Sequence, residues 1–333
     1  MKVLFHDFQN NVMNYKTKLM GWSIIFIVLC HTSGLEITGL QVLSPGMMGA
    51  DFFILLSGYS LGYSYNKYTL GRFYLRRLAR IYPMYLVLTL MGCVIVSLFK
   101  SPMTVDEWLA STACLPYYEV RGGYISDWYL SISFALYFIF PLLYRLPSKT
   151  MLVGLCLMAL VLQYLYAIDI IHINTLLARG LASIPMFCWG IFLYKSKDTI
   201  DIRKWNLLWL VLIALTVLLN VKGVHLHFFW ITDIIAPICI LSLYWLVKRS
   251  NGKEKLNAII DVIGIHSLEI YIANLTTLRL VESMNSTIIV EALIYIVGTL
   301  LLSVVCISLN TKIQYYIHLL EMKLFAITSN NGN

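Results

Sequence analysis

Residues 288–309 read IIVEALIYIVGTLLLSVVCISL, with Glu291 as the single charged side chain. An apolar run of about 20 residues can cross the ~30 Å hydrocarbon core of a bilayer as an α-helix. Its apolar residues do not alternate with polar ones, as they would in a transmembrane strand. Similar runs recur along the chain, which is 59% hydrophobic and 13% charged, whereas soluble domains are about one quarter charged. The sequence therefore predicts an all-α, polytopic transmembrane helix bundle.

Ten such runs define the predicted spans, which are 19–36, 46–65, 82–99, 127–144, 150–169, 177–194, 205–221, 228–247, 257–276 and 288–309. With the N-terminus inside, 20 of the 25 lysines and arginines fall in cytoplasmic segments, as the positive-inside rule requires. We therefore expect about 10 spans with both termini in the cytoplasm. The expected parts are a cytoplasmic leader over 1–18, a transmembrane domain over 19–309 and a cytoplasmic tail over 310–333.

Several other protein classes are disfavoured by composition. The net charge of +8 is spread over short loops between spans, so no nucleic-acid partner is expected. The seven cysteines follow neither a disulfide nor a metal-binding spacing. No small-residue cleavage site follows the first apolar run, which predicts a permanent first span. The expected location is the cytoplasmic (inner or plasma) membrane, with multiple passes through its lipids.

Four ionisable side chains fall within predicted spans. Placing such a group in the hydrocarbon core costs free energy, so these side chains are expected to face a bundle interior or a wet cavity. At ~1.5 Å per residue from the nearest inner basic residue, all four lie roughly 20–24 Å above the inner boundary. They are His31, Asp51, Asp233 and Glu269. A histidine can act as general base toward a hydroxyl, with a carboxylate such as Asp51 stabilising its protonated form. The alternatives are an interhelical hydrogen bond for His31, a helix cap for Asp51 and buried pairing for the other two.

An arginine cluster follows the second predicted span and consists of Arg72, Arg76, Arg77 and Arg80. In a helix, Arg72, Arg76 and Arg80 share one face. The planar fork of arginine suits phosphates, so the cluster predicts a site for a phosphate-rich cytoplasmic cofactor. The alternative is ordinary positive-inside charge or contact with lipid headgroups. No glycine-rich phosphate loop accompanies the cluster, which argues against a nucleoside triphosphatase.

Several segments between roughly 20 and 275 resemble, in family order, signatures of the type 3 membrane acyltransferases (acyltransferase family 3). They are 49–59 (GADFFILLSGY), 73–85 (FYLRRLARIYPMY), 127–131 and 137–141 (DWYLS and YFIFP), 184–187 with Gly190 (IPMF), and 264–271 (GIHSLEIY). The first two, at this spacing, carry most of the resemblance. Three positions depart from the family pattern: Met20 replaces an arginine, Ser133 a glutamate and Asn274 a frequent histidine.

The resemblance implies a membrane O-acyltransferase that moves an acyl group, commonly acetyl, from cytoplasmic acyl-CoA to a hydroxyl of a surface glycan or lipid-linked sugar outside. His31 and Asp51 are then expected to be catalytic. The arginine cluster, Arg72, Arg76, Arg77 and Arg80, is expected to hold the CoA phosphates. Expected substrate contacts are Ser57, Trp128, Ser131, Asp233 and Glu269. Acetyl-CoA or another acyl-CoA is the expected donor, and no metal is expected.

Two other functions stay open from the sequence. A buried polar layer also suits a non-enzymatic carrier or flippase for a lipid-linked sugar, or an assembly partner for glycan export. The departures at Met20 and Ser133 favour that alternative, or an inactive acyltransferase relative. A hydrolase is disfavoured because Ser57 lacks the Gly-x-Ser-x-Gly frame of a nucleophile elbow.

Overall fold

The computed structural model describes residues 2–32, 46–99, 102–113, 119–120, 123–124, 128–167, 169–172, 175–196, 228–250, 254–282, 284 and 287–330. These ranges contain eleven helices. They are α1 Lys2–Thr32, α2 Met48–Lys67, α3 Leu70–Phe99, α4 Val105–Thr112, α5 Trp128–Tyr144, α6 Lys149–Ala167, α7 Thr175–Lys195, α8 Phe228–Arg249, α9 Glu254–Ile265, α10 Ser267–Glu282 and α11 Ile288–Asn330. A short antiparallel hairpin pairs β1 Glu119–Val120 with β2 Gly123–Tyr124. Apart from that hairpin, the described chain has the predicted helical class.

Every predicted span except 205–221 overlaps a helix, and 205–221 lies outside the described residues. Within the described ranges, the stretches Leu70–Leu98 and Ile288–Leu320 are long and apolar enough to cross a membrane. A third span is added if α9 and α10 count together as one broken span. These apolar helices are those of a membrane protein. The count of ten spans and the location of the termini stay predictions.

Three helices extend more than ten residues past the predicted span boundaries. α1 begins at Lys2, α3 begins at Leu70 and includes the arginine cluster, and α11 continues to Asn330. Hydropathy marks only the portion of a helix that suits lipid. A helix continues beyond that portion wherever no breaker intervenes and a neighbouring surface packs against it.

The described chain divides into two compact units. Unit 1 comprises Met1–Thr69 and Ser131–Ile265, and unit 2 comprises Leu70–Leu130 and His266–Asn333. In unit 1, α2 packs against α1 and α7, while α1 also packs against α8 and α9. In unit 2, α10 packs against α3 and α11.

Glycines permit the close approach of α2 and α7 in unit 1. A Cβ added to Gly58 would lie closer than 3.0 Å to the Phe187 carbonyl oxygen, and one added to Gly190 would lie equally close to the Leu55 carbonyl oxygen. Only a residue without a Cβ fits such a crossing. Both glycines lie in segments that carry the family resemblance. Part of that resemblance is therefore explained by the packing of α2 against α7.

A glutamine on α6 compensates for a proline inside α7. Pro185 has no N–H, so the Leu181 carbonyl four residues earlier loses its donor within the helix. The side-chain amide of Gln163 donates to that carbonyl at 3.0 Å. A buried main-chain acceptor is thereby satisfied, and α6 is joined to α7.

The predicted leader, residues 1–18, contributes to the core of unit 1. Phe8 is fully buried, the Gln9 amide donates to the Leu193 carbonyl at 3.0 Å, and the Tyr59 hydroxyl donates to the Gln9 carbonyl at 2.7 Å. The first half of α1 therefore ties the ends of α2 and α7 together.

Asp7 links α1 to α8. Its carboxylate accepts hydrogen bonds from Lys248 Nζ at 2.6 Å and from the Tyr244 hydroxyl at 2.8 Å. Partial burial opposes the charge, but these donors and Asn11 hold the pKa of Asp7 below its ordinary value. Because the pKa is lower in the folded protein, the ionised Asp7 stabilises the fold at pH values above the unfolded-state pKa of about 3.9. That contribution is lost as the pH falls through the lower folded-state value.

Asp7→Asn is expected to lower the thermal unfolding midpoint of the purified protein near neutral pH, because Lys248 loses its charged partner. The difference in unfolding midpoint between the variant and wild type should become smaller below about pH 4. There the wild-type Asp7 carboxyl becomes protonated first in the unfolded protein and then in the folded protein. Asp169→Asn is the control, since Asp169 is 88% exposed. Unfolding midpoints measured in detergent across this pH range check the prediction, and a difference that does not change with pH would contradict it.

Buried polar pairs join α10 to α11 in unit 2. The fully buried Asn274 amide donates to the Tyr295 hydroxyl at 2.5 Å, and the hydroxyls of Thr277 and Thr299 lie 3.0 Å apart. Such interhelical hydrogen bonds stabilise helix association in membranes by about 1 kcal/mol each. Asn274, one of the departures from the family pattern, is thus a packing residue in this chain.

Candidate functional site

His31 and Asp51 lie on neighbouring antiparallel helices of unit 1. His31 is half-buried in the last turn of α1, and Asp51 is half-buried in the first turn of α2. A Cβ added to Gly49 would lie closer than 3.0 Å to the Ser23 carbonyl oxygen and to Ile27, so the start of α2 lies beside this part of α1. Two residues further along the antiparallel α2, Asp51 is level with about residue 23 of α1, which is about two turns, or roughly 12 Å, from His31 along the axis. The two residues therefore flank one interhelical seam at different levels, and the prediction that they share a level is wrong.

The depths of His31 and Asp51 were counted from the basic residues Lys18 and Lys67, and the estimate failed because these two lysines do not lie at the same level. The hydrogen bond from Tyr59 to Gln9 places the second half of α2 beside residues that precede Lys18. Lys18 itself pairs with Asp261 at 2.9 Å and is 19% exposed. It is therefore an interhelical ion-pair partner and not a marker of the membrane boundary.

Ser57 and Ser131 also belong to unit 1. The Ser57 hydroxyl lies 3.4 Å from the Tyr137 hydroxyl, which links α2 to α5. Ser131 is 5% exposed, and its Oγ has no hydrogen-bond partner in the described part of the chain. Ser133, where the family usually has a glutamate, is also 5% exposed. Two buried hydroxyls of α5 thus belong to unit 1.

Glu269 is the buried acid of unit 2, with 6% exposure. The Asn310 amide donates to its Oε1 atom, while its Oε2 has no partner among the described residues. Trp128 also belongs to unit 2 and is half-buried, with its ring 6.0 Å from that of Tyr129. The side chain of Asp233 lies outside what the structure describes. The prediction of one level for all four residues fails because His31 and Asp51 lie at different levels, and the levels of Asp233 and Glu269 stay predictions.

The arginine cluster lies on the first turns of α3, so the predicted helical spacing is present. Arg76 and Arg80 are exposed, whereas Arg72 and Arg77 are half-buried. The Arg77 guanidinium lies 5.9 Å from the centre of the fully buried Phe73 ring. The helix thus presents an exposed arginine edge, and Arg77 lies on the side that packs into unit 2.

Two polar residues of α11, Asn310 and Gln314, were missed because they lie in the predicted tail. Asn310 contacts Glu269, and Gln314 donates to the carbonyl of Ala79 on α3. Their spacing of four residues puts both on one helix face, which is the signal that could have identified them. No group of three or more potential metal ligands occurs within the described ranges.

Comparisons with known proteins agree with the resemblance seen in the sequence. The profile of the acyltransferase 3 family, described as an acyltransferase domain, matches residues 19–308. The acyltransferase MdmB of Streptomyces mycarofaciens is 34% identical over 152 residues, which are 40% of this chain and 39% of that relative. The matched region thus spans well under half the length of the curated relative. No solved structure matches the chain.

Proposed function

Because the chain belongs to the acyltransferase 3 family, we propose that it is an integral membrane O-acyltransferase. In this proposal it transfers an acyl group, most simply acetyl, from cytoplasmic acyl-CoA to a hydroxyl of an extracytoplasmic glycan or glycan precursor. The observation that carries the proposal is the family match over 19–308, which contains every candidate site residue.

The proposed reaction uses His31 as general base. The imidazole would take the proton of the acceptor hydroxyl while its oxygen attacks the thioester carbonyl. Collapse of the tetrahedral intermediate breaks the C–S bond, and the departing CoA sulfur takes the proton from the imidazolium. Asp51, about two turns away on α2, would stabilise the imidazolium through the low-dielectric interior. Substrate and product stay balanced: a thioester and an alcohol become an ester and a thiol.

The donor would be held from the cytoplasmic side by the arginines of α3. The exposed edge with Arg76 and Arg80 offers planar N–H forks for phosphate oxygens, and Arg72 continues it. The substrate roles of Ser57, Trp128, Ser131, Asp233 and Glu269 remain part of this proposal. The buried hydroxyl of Ser131, without a partner in the described chain, supports its role as a hydrogen-bonding group for substrate.

Arg80→Ala is expected to raise the KM for acetyl-CoA about tenfold with little change in kcat, since a charge-assisted hydrogen bond contributes about 1.5–3 kcal/mol. Initial rates in membranes containing the variant measure both constants. Lys312→Ala is the control, because Lys312 is an exposed base on α11. An unchanged KM together with weaker binding to anionic vesicles would support the lipid-headgroup alternative for Arg80.

Mass analysis of surface glycans from cells with and without the gene tests the proposed function. Loss of one acyl mass on deletion, restored by the wild-type gene, is the expected result. This result would also identify the acyl group and the acceptor. Glycan retained inside the cell with unchanged acyl content would instead support a carrier or export partner. Binding of acetyl-CoA without any lost acyl mass would point to an inactive relative.

A further inference from the structure

Pro83 leaves an unsatisfied main-chain acceptor inside the arginine cluster. It lies within α3 and has no N–H, so the Ala79 carbonyl four residues earlier loses its helical hydrogen bond. Ala79 stands between Arg77 and Arg80. Any group that binds this carbonyl therefore acts on the turn that carries the arginines.

Gln314 of α11 supplies the missing donor. Its amide nitrogen lies 2.9 Å from the Ala79 carbonyl oxygen and 3.3 Å from Asn310 Oδ1. The Asn310 amide in turn donates to the buried carboxylate of Glu269. A continuous hydrogen-bonded chain thus runs from the arginine turn of α3 through α11 to the first turn of α10.

We infer that Gln314, supported by Asn310 and Glu269, positions the arginine cluster of α3 for the phosphates of the acyl donor. The inference rests on the proposed acyl-CoA donor and adds a residue to its site. Gln314 lies beyond the family match at 19–308 and beyond the predicted span 288–309. It touches no reacting atom, so it is a positioning residue.

The physical reason is the weakness that a proline introduces in a helix. Helices bend sharply at proline when the freed carbonyl has no replacement donor. A bend in the turn 79–83 would move Arg80 relative to Arg76 and Arg77, which lie together before that turn, with Arg77 against Phe73. Several arginines bind one polyphosphate well only if their guanidinium groups are held at the right separation.

The test uses the full chain in nanodiscs and the variant Gln314→Leu. The CoA dissociation constant, measured by calorimetry, should rise about tenfold, as expected for loss of one well-placed hydrogen bond and the order it imposes. The KM for acetyl-CoA should rise similarly with kcat retained. The KM for S-acetylpantetheine, which has no phosphates, should stay at the wild-type value.

Gln163→Leu is the matched control. Gln163 makes the same kind of bond to a carbonyl freed by proline, at 3.0 Å from Leu181, but in unit 1. It should leave the CoA dissociation constant unchanged. If Gln314→Leu does not fold, Gln314→Asn, whose shorter amide cannot span the distance, takes its place.

Pro83→Ala provides the rescue. It returns an N–H to α3, so Gln314→Leu in the Pro83→Ala background should bind CoA nearly as well as Pro83→Ala alone. A CoA dissociation constant within twofold of wild type for folded Gln314→Leu would overturn the inference. An equal rise in KM for both donors would overturn it too. A wild-type protein that binds CoA but transfers no acyl group would refute the proposed function. The CoA dissociation constant of Gln314→Leu would then still decide whether Gln314 positions the arginine cluster.

Discussion

His31→Ala should reduce acyl transfer about 10²–10⁴-fold, the contribution of a positioned general base, while the protein still inserts and folds. The imidazole is half-buried in the last turn of α1, and its loss removes no residue of the fully buried core of unit 1. The measurement is transfer of labelled acetyl from acetyl-CoA to the surface glycan in membranes that contain the variant. The unfolding midpoint in detergent, which should stay near the wild-type value, serves as the folding check.

His172→Ala is the matched control, since His172 is 80% exposed beside Asp169. It should leave transfer unchanged. Full acylation by His31→Ala at normal expression would show that the role proposed for His31 is wrong, whatever the family membership implies.

Gly58→Ala should destabilise the protein by about 1–3 kcal/mol. The added methyl would meet the main-chain carbonyl of Phe187, which cannot rotate away as a flexible side chain could. Relief requires α2 and α7 to move apart, and this opens the packing around the fully buried Tyr59. The purified variant is heated to a series of temperatures, and size-exclusion chromatography after each step measures how much folded protein remains.

Gly154→Ala is the control of opposite sign. A Cβ at Gly154, within α6, meets nothing within 4 Å, so alanine should be neutral or stabilise the helix by up to about 1 kcal/mol. If Gly58→Ala unfolds at the wild-type temperature, α2 and α7 do not require this close crossing. The same comparison applies to Gly190→Ala, whose Cβ would meet the Leu55 carbonyl oxygen.

Which residues form helices could largely be predicted from the sequence, because membrane helices depend on local apolar runs. The run 288–309 indicated α11, and the arginine cluster, whose shared face required a helix, lies within α3. Helix ends were predicted less well. Residues 2–18 contribute Phe8 and Gln9 to interhelical contacts, and α11 continues past 309, where Asn310 and Gln314 contact α10 and α3. Hydropathy carries no information about those partners.

Several candidate roles changed once neighbouring helices were known. Lys18 ends the predicted cytoplasmic leader and was counted as a basic residue of the membrane boundary, but it pairs with Asp261. Gln314 resembled an ordinary tail residue, but it binds the carbonyl freed by Pro83. Each of these contacts joins residues far apart in the chain, so no local pattern contains them.

The sequence by itself determined that this is an apolar, helical chain with the signatures of the acyltransferase 3 family, because hydropathy and short motifs are local properties. Only the tertiary structure decided the register between helices. That register separates Asp51 from His31 by about two turns and places Gln314 against the arginine turn of α3. The physical reason is that the register between two helices depends on contacts between residues far apart in the chain. Glycines decide where two backbones can approach, and carbonyls that lost their donor to a proline bind side chains of other helices.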